Sequence, residues 1–92
     1  MGRSGTAQDE VGSLLRAAGN ADAAAFAAFY DRTSPVIFNV LRRELDEPAA
    51  ERATVRVYLR VWQTASAFDP ARMSGWAFVL HAVYHDRRSR PR

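Results

Sequence analysis

The chain has 92 residues and no cysteine, which excludes a disulfide framework, thiol chemistry and any cysteine zinc site. Lysine is absent too, so all 13 basic residues are arginine. No apolar run approaches the roughly 20 residues that a membrane-spanning helix needs; Trp76 to Leu80, for instance, is only five long. Met1 to Glu10 carries one arginine, two acids and no apolar stretch, which is not the pattern of a secretory signal. The five glycines are scattered at 2, 5, 12, 19 and 75 and form no phosphate-cradling loop. These absences point to a cytoplasmic protein without membrane contact or a nucleotide cradle.

A length of 92 residues accommodates one small domain, since independently folding units run from about 50 to 250 residues. The formal charge is +3 and is unevenly spread. From His81 onward there are four arginines, two histidines and Asp86 as the single acid, a concentration that suits an anionic partner.

Helical periodicity organises nearly all of the chain. Residues 1–8 are small and polar and are expected to form a disordered tail, followed by a domain over 9–90. Val11, Leu14, Leu15 and Ala18 make an apolar stripe that Gly19 ends. Asn20 is the expected cap of the next helix, with Phe26, Phe29 and Tyr30 inward. Ser34-Pro35 predicts a break near Thr33 and a continuation through Val36, Ile37, Val40, Leu41 and Leu45. After the turn at Asp46-Glu47-Pro48, Ala50, Ala53, Val57, Tyr58, Val61, Trp62 and Ala65 keep the period. Residues 66–74 read as a loop. Ser74 then caps a last helix with Trp76, Val79, Leu80, Val83 and Tyr84 facing inward. The expected fold is all-α, a bundle of four to five helices around one core.

Few residues suggest catalysis. His81 and His85 lie at i, i+4, but Ala82 fills the position where a zincin has its glutamate and no third ligand is evident, so no metal or other cofactor is expected. Asp69 and Asp86 sit among arginines and read as solvated ion pairs. No nucleophile has a base at workable spacing, and the chain is not expected to be an enzyme. Two charged features stand out instead. Arg52, Arg56 and Arg60 form a stripe at i, i+4, i+8 with Val55 and Leu59 beside it. The loop Phe68-Asp69-Pro70-Ala71-Arg72 and the last helix, with Phe78, His81, His85 and Arg88, interleave aromatics and cations, a combination that suits single-stranded nucleic acid.

The segments Ala24-Ala25-Phe26-Ala27-Ala28-Phe29-Tyr30-Asp31-Arg32, Tyr58-Leu59-Arg60-Val61-Trp62, Phe68-Asp69-Pro70-Ala71-Arg72 and Ala77-Phe78-Val79-Leu80 resemble, in order and spacing, region two of an extracytoplasmic-function (ECF) bacterial sigma factor. The likeness covers roughly residues 10–90. It implies that one face grips the clamp helices of the RNA polymerase β′ subunit, here through Arg52, Val55, Arg56 and Leu59. It further implies that Phe68, Asp69, Arg72, Ser74, Trp76, Phe78, His81, His85 and Arg88 read the promoter −10 element as a non-template single strand. An anti-sigma factor is a further partner that the resemblance suggests.

The chain departs from that family at telling positions. An acid and a Gln-Glu pair usual on the polymerase-gripping helix are replaced by Arg52, Val55 and Arg56. The usual Arg and Asp pattern of the last helix gives way to Tyr84, His85, Asp86 and Ser89, with Pro91 as the expected stop. No region four, the reader of the −35 element, is expected. These departures leave two readings: a promoter-binding domain acting in transcription initiation, or a sigma-like module that has lost polymerase and serves protein interaction.

Overall fold

The computed structural model describes residues 6–90, which fold as α1 (Thr6–Gly19), α2 (Ala23–Arg42), α3 (Glu47–Thr64), a 3₁₀ turn (Ala65–Ala67) and α4 (Gly75–Ser89). No strand occurs among the described residues, so the fold is all-α with four long helices. Helix α1 begins at Thr6, within the expected tail; residues 1–5 and Pro91 lie outside the described residues.

Short side chains start three of the helices. Asp22, Asp46 and Ser74 accept hydrogen bonds from the backbone N–H groups of Ala25, Ala49 and Ala77, each at 3.0 Å, satisfying amides that have no partner inside a helix. Asp22 therefore takes the role expected of Asn20. Between them Ala21 turns into the left-handed region at φ 68°, and this reversal postpones the helical start by two residues.

The break expected at Ser34-Pro35 does not occur, and α2 runs unbroken with Pro35 inside it. Pro35 deletes one ladder hydrogen bond. Tertiary packing outweighs that loss: Phe29, Ile37 and Leu41 are buried on one face, and Thr33 between them is fully buried. Its hydroxyl donates to the Phe29 carbonyl at 2.8 Å and bonds the Tyr58 hydroxyl at 2.6 Å.

Val11, Leu15, Phe29, Ile37, Leu41, Val57, Val61, Val79 and Val83 form the centre of the core. Three residues expected there stand outside it, since Tyr30, Trp62 and Leu80 are exposed. Tyr84, expected inward, is exposed as well, while Gly75, Ala82 and Asp86 of α4 are buried. The apolar arc of α3 and α4 is wider than the arc their neighbours cover. At Gly75 a methyl group would lie 2.8 Å from Val11 Cγ1 and 3.0 Å from the Gly12 nitrogen. Glycine thus lets α4 begin directly against α1. Glu10 of α1 also forms a bidentate pair with Arg32 of α2, with Nη2 to Oε2 at 2.7 Å.

Candidate nucleic-acid and protein interfaces

The segment before α4 is a built turn. Asp69 accepts from the Ala71 N–H at 2.9 Å through its side chain, and its carbonyl accepts from Arg72 N–H at 2.9 Å. Phe68 anchors the turn: it is 8% exposed and meets Phe78 edge-on, with ring centroids 5.4 Å apart. Phe68, expected on the nucleic-acid surface, thus offers no free face for stacking. Ser74 is engaged as the α4 cap, and Trp76 is half-buried against the core.

Other expected residues do come together. An open groove of about 620 Å³ is lined by Arg60, Phe78, His81, Tyr84, His85 and Arg88, among others. The Arg88 guanidinium lies 5.6 Å from the Tyr84 ring centroid, within cation–π range. Four cationic or titratable groups from two helices therefore share a surface with an exposed tyrosine and the half-buried Phe78. Arg60 and Tyr84 join this surface in addition to the residues expected from the sequence. Arg60 was within reach, being the last member of the α3 stripe and one helical face away from α4.

The α3 stripe divides between tasks. Arg56 donates to Asp86 from Nε at 2.7 Å and from Nη2 at 3.1 Å. Arg90 also donates to Asp86 at 3.2 Å and to Glu44 at 3.3 Å, and Arg87 pairs with Glu44 at 2.6 Å. The network ties the end of α2 to α3 and α4. Asp86 is buried rather than solvated, against the expectation for it. Burial alone would push its carboxyl up, but hydrogen bonds from Arg56 and Arg90, with their charges, hold it below the usual carboxylate range. Arg52 is exposed.

On the side of α3 toward α2, Val55 and Leu59 line a second surface with Ala23, Phe26, Tyr30, Tyr58 and Trp62. Val55 is 66% and Leu59 54% exposed. Trp62 packs edge-on to Phe26 at 5.0 Å and Tyr30 to Tyr58 at 4.7 Å. The aromatics here have their flanks packed while the surface stays open, an apolar face with no covering element among the described residues.

The ECF RNA polymerase sigma factors SigK of Mycolicibacterium vanbaalenii and of Mycobacterium tuberculosis strain H37Rv are each 40% identical to the chain over 72 residues, which is 77% of it. The chain is homologous to ECF sigma factors. SigK of Mycobacterium sp. strain KMS is similar at 40% over 68 residues. The chain spans 35 to 38% of the length of these sigma factors. No family model matches it, and no solved structure matches it significantly. Against this ECF sigma background, Arg56 changes meaning: the reversed charge on the helix expected to grip polymerase is paired with Asp86 of α4, so it does not stand as a free cation on that face.

Proposed function

We propose that the chain is a promoter −10 recognition and melting domain of an ECF-type sigma factor, a non-enzymatic role in transcription initiation at RNA polymerase in the cytoplasm. The observation that carries this reading is the α4 groove, where Arg60, His81, His85 and Arg88 converge beside Tyr84 and Phe78. Cations there neutralise phosphates, and a base turned out of the duplex, at a cost of a few kcal/mol, regains about 1 to 3 kcal/mol by stacking on an aromatic. Tyr84 is the exposed ring in that groove, so it takes the stacking role that Phe68 does not offer.

The apolar face around Val55, Leu59 and Trp62 is the docking surface for the β′ clamp helices, with an anti-sigma factor competing for it. Titration of a fluorescent non-template −10 oligonucleotide at several salt concentrations tests the first half. Preference for the single strand over duplex, with log K falling against log salt by about 2 to 3 per decade, is the expected result. Failure to bind at low salt would instead favour a protein-interaction module, and retention of core polymerase in a pull-down would then decide whether the β′ surface is kept.

A further inference from the structure

A second groove, of about 510 Å³, opens between α1 and the turn before α4. Ser13 and Arg16 come from α1, Arg72 and Met73 from the turn, and Gly75 from the start of α4. Arg16 and Arg72 are exposed, and neither enters an ion pair among the described residues. No acid is among the lining residues. Gly12 and Gly75 line the groove where α4 starts against α1. Phe68 reaches this groove too, but buried as it is it leaves no ring for a base. Met73 lines both this groove and the α4 groove, so the two basic surfaces adjoin across a single side chain.

A guanidinium matches a phosphate with paired donors, and a cationic groove without an open aromatic face suits backbone rather than bases. We propose that this groove is a phosphate-binding subsite for single-stranded nucleic acid, in which Arg16 and Arg72 hold the backbone of the strand whose bases meet the α4 groove. The inference rests on the strand-binding reading of the α4 groove and extends it to α1, where Arg16 becomes a contact residue.

The test is titration of the 92-residue chain with a labelled single strand of about 12 nucleotides. At about 0.1 M salt, Arg16→Ala weakens binding about fivefold and flattens the log–log salt slope by about 0.7, the share of one phosphate on a single strand. Arg16→Lys keeps most of both. If Arg16→Ala changes neither while Arg88→Ala weakens binding, the strand occupies the α4 groove alone; this inference is then overturned and the strand-binding reading stands. If the unaltered chain binds no strand at low salt, the strand-binding reading fails and the nucleic-acid assignment of this groove fails with it. Inorganic phosphate, followed through the Gly12 and Gly75 amide signals, separates the other source: movement in the unaltered chain that Arg16→Ala abolishes, without strand binding, marks a site for free phosphate and likewise overturns the nucleic-acid assignment.

Discussion

Arg56 and Asp86, on neighbouring helices, are joined by two parallel hydrogen bonds, Nε to Oδ1 at 2.7 Å and Nη2 to Oδ2 at 3.1 Å. The acid is buried while the Arg56 side chain is 49% exposed. Removing the two partners therefore has unequal consequences. Asp86→Ala leaves the largely covered Arg90 without its acid at that end and should destabilise the fold by about 1.5 to 3 kcal/mol, the range for hydrogen bonds to charged groups. Arg56→Ala should cost less, because Arg90 still bonds Asp86. Chemical denaturation of both variants and of the double variant gives the coupling; equal single costs with no coupling would contradict the arrangement.

The same pair sets an acid limit. Because the Asp86 carboxyl sits below its ordinary value in the fold, its contribution is complete above the unfolded value of about 3.9 and is lost as pH falls through the lower folded value. The melting temperature should fall more steeply below about pH 4 in the unaltered chain than in Asp86→Asn. Parallel curves would show that another carboxylate governs acid unfolding.

Trp62 is 40% exposed, so its truncation is a test of docking more than of folding. Trp62→Ala should cost about 1 to 2 kcal/mol, mostly the edge-on pairing with Phe26, whereas Phe29→Ala, at a fully buried site, should cost about 3 to 5 kcal/mol. If the apolar face docks on polymerase, Trp62→Ala and Leu59→Ser lower retention of core polymerase while the fold persists at room temperature. Undiminished retention with both would move the docking surface elsewhere.

The sequence makes the helices and much of the core legible, because periodicity and capping are local properties. Asp46 and Ser74 act where turn chemistry places them, and Phe29, Ile37, Leu41, Val57, Val61 and Val83 lie inside as their phase implies. What is not legible depends on which arc of each helix a neighbour covers. Tyr30, Trp62, Leu80 and Tyr84 share the apolar phase yet remain outside. The candidate DNA surface divides in the same way. Its cations, His81, His85 and Arg88, share a groove, while Phe68 is buried against Phe78 and Trp76 packs against the core. The partnership of Arg56 with Asp86 joins residues thirty positions apart, beyond any local pattern.

Ala21 offers a stabilising change. An alanine in the left-handed region costs about 1 to 2 kcal/mol, and glycine there removes that cost while adding about 0.4 to 1 kcal/mol of unfolded-state entropy. Ala21→Gly should raise stability by roughly 0.5 to 1 kcal/mol on balance, visible as a higher melting temperature. A lower one would mean that the turn does not hold this conformation in solution.

Thr33 and Tyr58 form the buried hydroxyl pair at the α2–α3 contact, and burial pushes the Tyr58 phenol well above its ordinary value. Thr33→Val leaves that phenol unpaired and should cost about 1 to 3 kcal/mol. Thr33→Ser, which keeps the hydroxyl, should recover most of the loss in thermal melts.

The open strip of Tyr30, Val55, Leu59 and Trp62 has a colloidal consequence. Contiguous apolar surface of this kind attracts its own copies once charge repulsion is screened, and a net charge of +3 is a modest barrier. With the strip uncovered, the chain should self-associate as its concentration and the salt rise, which light scattering would show. A strip open to a partner would thereby also limit how much of the chain persists alone.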